Sequence, residues 1–551
     1  MSYSFKKGAA LASACVLMMS AMCSCGADMS GKTDGGTYRK DEHRKNNTIA
    51  EAPKNDSSDN EKAESCDDYS DYRDCREYPG TVSPDEEYKA YTEAGFRDPR
   101  KEPLSTFSVD VDTASYTNVR RLIEDGVIVP EDAVRAEEFI NYFDYDYPDP
   151  DEGMLFGDYV ELADCPWNPA NKLMMIGIQG KRLAEEETPP SNLVFLIDSS
   201  GSMASYDKLP LVQSAFSMLS EKLTGDDRVS IVTYAGSTDT RIEGAFGREK
   251  DEILEALYSI TASGGTNGEG GIEKAYKLAE KYFIKGGNNR VILATDGDLN
   301  IGKCSEKELK KLIESKRDNG IYLSVLGFGT DNYKDNKLEA LADNGNGNYS
   351  YIDSVDEAYR VLNEEMAGTL YTIANDVKIQ VEFNPSMIKN YRLIGYDNRL
   401  MEAEDFFNDE KDAGEVGAGH SVTALYEVQL ADSRETYRGI QLEFASEHEN
   451  IPEEDNGRSE LCKLSIAYKP VGSDGEIYDS QLFGMEKYNK APSDSMVVAS
   501  AAAEFAMLLR NSDMKGNSSF DHVISSASRV DGNKKTEELI QLAMEAQRLY
   551  R

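Results

Sequence analysis

Between Ser191 and Leu370, apolar runs of strand length alternate with stretches whose apolar residues recur at helical spacing. Four runs, Leu193–Ile197, Val229–Tyr234, Val291–Ala294 and Ile321–Gly327, are rich in Val, Ile and Leu, as strands buried on both faces must be. One intervening stretch places Leu209, Val212, Phe216, Leu219 and Leu223 on a single helical stripe, and a later one does the same with Ile272, Ala275, Ala279, Tyr282 and Phe283. This alternation predicts an α/β unit over residues 186–372, a doubly wound, mostly parallel, Rossmann-like sheet with helices on both faces.

The pattern changes on either side. Residues 91–185 predict a small α+β flanking unit, with a strand at Thr106–Val111 and helices near Tyr116–Glu124 and Asp132–Phe143. Residues 373–490 alternate apolar and polar positions at Val377–Phe383, Val422–Leu430, Gly439–Phe444 and Lys463–Tyr468, separated by acidic, turn-rich loops, and predict a β-rich domain. The last stretch, 491–551, is helical: Met496–Leu509 is strongly apolar, and Thr536–Tyr550 is amphipathic through Leu539, Leu542, Ala546 and Leu549.

Composition separates the N-terminus from this folded part. Lys6 and Lys7 precede an uncharged, small-residue apolar run from Gly8 to Met22, shorter than the roughly 20 residues a membrane-spanning helix needs, so residues 1–25 read as an export signal. The run ends in Met22-Cys23-Ser24-Cys25-Gly26, which resembles a bacterial lipobox with Met where Leu is usual. That resemblance implies lipidation at Cys25, with Cys23 the second choice and a simple cleaved secretory signal the competing reading. Residues 26–90 are polar and poor in branched apolar side chains, and predict a disordered acidic tether lifting the folded part off a membrane. The expected location is therefore the cell envelope, on the extracytoplasmic side, with the membrane reached through the lipid.

The 551 residues carry 100 Asp plus Glu against 60 Lys plus Arg, a net charge of −40. Such a surface repels phosphate backbones, which argues against nucleic acid as a partner. Of the eight cysteines, Cys66 and Cys75 are close enough in sequence to pair in an oxidising compartment, whereas Cys165, Cys304 and Cys462 are scattered. The four histidines, His43, His420, His448 and His522, show no zinc-binding spacing.

The candidate chemistry lies at strand ends. Asp198-Ser199-Ser200-Gly201-Ser202 follows the first buried strand, Thr266 stands in Gly264-Gly265-Thr266-Asn267 before a helix, and Asp296 follows Val291–Ala294 in Thr295-Asp296-Gly297. Ligands of open α/β sheets bind at the carboxyl edge where these three loops fall. Five oxygen donors, Asp198, Ser200, Ser202, Thr266 and Asp296, suit a hard cation, Mg²⁺ first, with Mn²⁺ or Ca²⁺ as alternatives. Only two of the five are charged, so a bound ion would stay electrophilic. An Asp-x-Ser-x-Ser segment alone is more often a turn or a helix cap; it is the two further strand-end positions that favour a metal.

These five positions resemble the metal-ion-dependent adhesion site of von Willebrand factor type A and integrin inserted domains, with every motif position filled. The wider chain is similar to bacterial von Willebrand A lipoproteins, in which a segment like Phe107-Ser108-Val109-Asp110-Val111-Asp112-Thr113-Ala114-Ser115-Tyr116 precedes the A domain and a β-rich, helical region follows it. The resemblance implies a non-enzymatic role, in which the metal grips an Asp or Glu carboxylate presented by a protein partner. Two other readings compete. One is an envelope scaffold whose metal only stiffens loops; the other is a Mg²⁺-dependent phosphatase using Asp110 and Asp112, since Asp110-Val111-Asp112-Thr113 looks like an aspartyl-phosphate motif. A serine hydrolase built on Ser200 lacks a base, because no histidine lies within 186–372.

Overall fold

The structure is a computed structural model and describes residues 80–184, 188–297, 306–330, 333–409, 411–431, 460–473 and 475–551. The export signal, Cys23, Cys25, Cys66, Cys75, Cys304 and the expected strand Gly439–Phe444 lie outside the described residues.

From the N-terminal side the elements are β1 (Leu104–Ser108), α1 (Ala114–Glu124), α2 (Ala136–Asn141), β2 (Phe156–Asp164) and β3 (Lys172–Gly180). The central part runs β4 (Ser191–Asp198), α3 (Leu209–Lys222), β5 (Arg228–Tyr234), β6 (Thr238–Phe246), α4 (Lys250–Tyr258), α5 (Gly268–Lys281) and β7 (Asn288–Thr295). It continues with α6 (Glu306–Arg317), β8 (Tyr322–Phe328), α7 (Asp335–Asn344), β9 (Tyr349–Ile352), α8 (Val355–Tyr359) and α9 (Met366–Leu370). Then follow β10 (Thr372–Phe383), β11 (Ile388–Ile394), β12 (Leu400–Met401), β13 (Gly414–Gly417), β14 (Ser421–Leu430), β15 (Glu460–Pro470) and β16 (Ile477–Gly484). Helices α10 (Asp494–Leu509), α11 (Phe520–Ala527) and α12 (Lys534–Leu549) close the chain.

The central sheet has the order β6-β5-β4-β7-β8-β9. All its pairings are parallel except that of the edge strand β6 with β5. Side chains alternate across β4: Leu193, Phe195 and Ile197 pack with Leu209, Val212 and Phe216 of α3, while Val194 and Leu196 pack with Ile272 and Ala275 of α5 and Leu338 of α7. Both faces are thus dry, which is why its strands read as continuous apolar runs. Strands β6 and β9 escaped the sequence reading. The burial of β6 alternates along an exposed edge, and β9 is only four residues long, Tyr-Ser-Tyr-Ile.

The flanks share one body. In one antiparallel sheet β1 pairs with β10 and β12, and β10 also pairs with β13 and β15, which in turn pairs with β16. In the other, of order β11-β14-β3-β2, β3 registers on β14 over Gln179↔Ser421 to Lys172↔Val428. Strands from residues 91–185 and 373–490 therefore mix in both sheets. Their facing sides form a sandwich in which Ile176, Phe383, Tyr426 and Leu464 share one apolar cluster. The outer side of the second sheet, through Leu173, Met175 and Leu425, is covered by α1, α2, α10, α11 and α12. With a sheet on one side and helices around it, α10 is buried nearly all round, Glu504 included.

Three local expectations shift. The strand expected at Thr106–Val111 ends at Ser108, and Asp110–Thr113 is loop. The helix expected at Asp132–Phe143 is a 3₁₀ turn, Glu131–Ala133, followed by α2. Residues 80–90, read as the end of the tether, lie against the folded body instead: Gly80 bridges Val127, Glu87 bridges Lys334, and Val82 and Tyr88 pack against the helical core. Polar anchors back these two apolar side chains: Glu86 pairs with Arg121 and Glu87 with Lys334, and the Tyr88 hydroxyl accepts from Asn118. No helix of the described residues is long and apolar enough to cross a membrane.

Candidate metal centre at the carboxyl edge

Strands β4 and β7 are parallel neighbours, registered Ile197↔Ala294, so Asp198 and Asp296 emerge side by side at their carboxyl ends. The chain then turns sharply, with Ser200 extended and Gly201–Ala204 forming one 3₁₀ turn pinned by the buried Met203. The Asp198 carboxylate accepts the Ser200 N–H at 2.8 Å, and the Ser200 and Ser202 hydroxyls stand 2.9 Å apart. Ser199 is tied back to β5, its N–H donating to the Tyr234 carbonyl at 2.9 Å.

The third loop is held to the first by its backbone. Gly201 N–H donates to the Gly264 carbonyl at 3.0 Å, and Ser263 N–H to the Ser199 carbonyl at 2.8 Å. Gly264 has φ +81°, a conformation that costs a side-chain-bearing residue about 1–2 kcal/mol. Two residues on, Thr266 is half-buried, directly before Asn267, whose side chain caps α5 by accepting the Gly270 N–H. The structure therefore brings the three motif loops together. Asp198, Ser200 and Asp296 are buried, and Ser202 is exposed at the rim.

Electrostatically the site is short of positive charge. Burial pushes the Asp198 carboxyl up to about 6; hydrogen bonds from Ser200 pull the other way, and the charge of Asp296 adds to the rise. Asp296 is compensated by a residue the sequence reading did not single out, Lys208, whose Nζ lies 3.0 Å from Oδ2 in an almost fully buried ion pair. A signal was present. Lys208 occupies the N-cap position of α3, where the helix dipole disfavours a cation by about 0.3–1 kcal/mol, so a lysine there gains from a carboxylate nearby. Its stem lies against Gly329, at φ +73°, where any Cβ would overlap the lysine chain.

This donor set fits a hard divalent ion. Every candidate donor is oxygen and Ser202 is open to solvent, while the Lys208 ammonium holds one oxygen of Asp296 and an ion would share that carboxylate with it. Among the described residues no group of three or more His, Cys, Asp or Glu side chains converges as a metal cluster, so an ion here would depend on the hydroxyls beside its two carboxylates. Bound, it would supply an electrophilic centre for an incoming anionic oxygen.

Asp110 and Asp112 have other occupations. Asp110 accepts from Arg399 Nε at 2.9 Å and from the Asp112 N–H at 2.9 Å. Asp112 accepts the Tyr349 N–H at 2.8 Å. Both carboxylates are buried: Asp112 ties the flank to β9, and Asp110 holds Arg399.

A mostly parallel sheet wrapped by helices, with Asp-x-Ser-x-Ser after one inner strand and a second Asp after its neighbour, defines a von Willebrand factor type A domain, and that family matches residues 192–364. On either side, the family described as von Willebrand factor matches 82–175, and that described as Uncharacterized protein YfbK, C-terminal, matches 368–549. Uncharacterized protein YfbK of Escherichia coli (strain K12) is 40% identical over 462 residues, covering 82% of this chain and 78% of that protein; the chain belongs to the YfbK family. Uncharacterized protein sll0103 of Synechocystis is 30% identical over 233 residues, 41% of this chain and 53% of its own length. Among solved structures, a von Willebrand factor type A protein from Catenulispora acidiphila covers 73% of this chain and 91% of its own, with a TM-score of 0.41 and 13% identity.

Proposed function

We propose that this chain is a lipid-anchored, extracytoplasmic binding protein that grips an acidic side chain of a protein partner through one divalent cation, Mg²⁺ first. Asp198, Ser200, Ser202, Thr266 and Asp296 would hold the ion directly or through water, and the partner's carboxylate would complete its coordination. The observation that carries this reading is the pairing of two buried carboxylates at neighbouring strand ends with two serine hydroxyls 2.9 Å apart, one of them at an exposed rim. A bound ion also lets an acidic protein hold an acidic ligand, because the local charge dominates while distant charges are screened beyond about 8 Å in physiological salt. The protein's own residues bind and orient; nothing in the proposal requires a bond to be broken. Anchoring rests on the N-terminal signal and on Cys25, with Cys23 the alternative.

The test is a magnesium titration by calorimetry, paired with partner capture from envelope extracts in Mg²⁺ and in EDTA. Wild type is expected to bind one ion per chain and to lose its partner in EDTA; Asp198→Ala is expected to bind no ion and to capture no partner in Mg²⁺ or in EDTA, while keeping the wild-type circular dichroism. Capture that survives chelation sinks the reading. Ion binding that raises stability with no metal-dependent partner would return the site to a stiffening role.

A further inference from the structure

Beside the metal loops, on the same edge of the central sheet, opens a cavity of about 690 Å³. Its walls come from both halves of the molecule: α1, the segment before α3, the ends of β8 and β9, α8, and the start of α12. The basic residues in these walls, Lys534 apart, are already engaged. Arg120 binds Asp353 through two bonds of 2.7 Å, and also Glu357 and Glu538 at 3.0 Å each. Arg121 is paired with Glu86, Arg360 with Glu357 and Glu365, and Lys535 with Asp144 and Glu365.

The acidic residues are in excess. Glu124, Asp125, Asp207, Asp356 and Glu364 also line the cavity, and among the described residues none of them makes a salt bridge, whereas Lys534 is the one lining cation in the same condition. Two large aromatic side chains stand at the same opening, Tyr206 at 87% exposure and Tyr359 at 45%. Phenol faces beside uncompensated carboxylates attract a cation from both sides, and a flat guanidinium can stack on the ring while bonding to the carboxylates. Tyr206 and Asp207 immediately precede Lys208, so the cavity rim and the metal loops are continuous along the chain.

We propose that this cavity is a second binding site, the receptor for a basic side chain, arginine above all, carried by a protein partner. It needs no metal, so it stands whether or not the metal reading does. If both hold, one partner segment could place a carboxylate on the ion and an arginine in the cavity.

The probe is fluorescein-labelled hexa-arginine, followed by anisotropy with the full chain in EDTA. A chain of net charge −40 attracts any polycation diffusely, so the measurement turns on position. Glu124→Gln with Asp356→Asn is expected to weaken binding at least fivefold, and Tyr206→Ala several-fold. The distant exposed pair Asp251→Asn with Glu252→Gln, on α4, removes the same charge and is expected to change binding less than twofold. All four acidic positions are exposed, so folding is not at stake. Equal losses from the two pairs, no binding at all, or preferential capture of labelled hexa-glutamate would each overturn the assignment.

Discussion

Lys208 provides the sharpest test of how the metal site is wired. Its ammonium and the Asp296 carboxylate form an ion pair with side-chain exposures of 9% and 0%. Removing one member of a buried ion pair takes the countercharge from the other, at a cost of about 3–5 kcal/mol. Lys208→Met keeps the length and the apolar stem that packs on Gly329, so nearly all of the change is the charge. In EDTA the variant should therefore unfold in urea with about 3 kcal/mol less stability than wild type. The variant should bind a divalent ion more tightly than wild type, because the ion no longer competes with an internal ammonium for Asp296. An ion present at 100 times its dissociation constant stabilises the folded chain by about 2.7 kcal/mol, which would recover most of the loss. Urea unfolding followed by circular dichroism, with and without Mg²⁺, together with calorimetric titration, measures both quantities. A variant as stable as wild type in EDTA, or one that binds Mg²⁺ more weakly, refutes the reasoning.

Two further perturbations probe the body that carries the site. Glu137 on α2 is fully enclosed, and burial pushes its carboxyl up to about 7, helped by the charge of Asp110. With the folded value above the unfolded one, its neutral form favours folding at low pH, and that advantage is lost as pH rises from about 4.5 through 7. Glu137→Gln should flatten this fall, gaining about 2 kcal/mol over wild type at pH 8 and little at pH 5, as read from urea midpoints at the two pH values; parallel pH profiles would count against it. Glu427 accepts from Trp167 Nε1 at 3.0 Å and from Arg392 Nε at 2.9 Å, with Arg392 wholly buried. Glu427→Ala should cost about 3 kcal/mol, the lower end of the range for breaking a buried pair, because Arg392 keeps Glu93 at 3.4 Å and the Met514 carbonyl at 3.2 Å, and should shift the emission of Trp167, the chain's single tryptophan; an unchanged midpoint and spectrum would show the network to be dispensable.

How far a sequence speaks depends on the range of the interaction. The strand runs of the central sheet were legible because burial on both faces demands apolar residues in succession, and the helices because a stripe such as Leu209, Val212 and Phe216 repeats every turn. The same locality made Asp198, Ser200 and Ser202 conspicuous, two residues apart on one turn, and set Asp296 at the end of its own strand. In the flanks, β3 is likewise buried on both faces, against the sandwich and against the helices, but no βα alternation surrounds its apolar run, and its neighbour β2 carries Asp158 and Glu161 within the strand, so neither has a local pattern that sets it in a sheet.

By itself, then, the sequence determined the doubly wound central sheet, the placing of three oxygen-bearing loops at its carboxyl edge, and the strongly acidic surface, since each follows from local spacing or from composition. Only the tertiary structure decided that the regions before and after this sheet interleave strands in one sandwich, that Lys208 compensates Asp296 across 88 residues, and that a cavity with unpaired carboxylates opens beside them. Those outcomes depend on which distant segments meet once apolar faces are buried. Pairing β1 with β10, or a lysine with an aspartate far along the chain, leaves no period in the sequence to read.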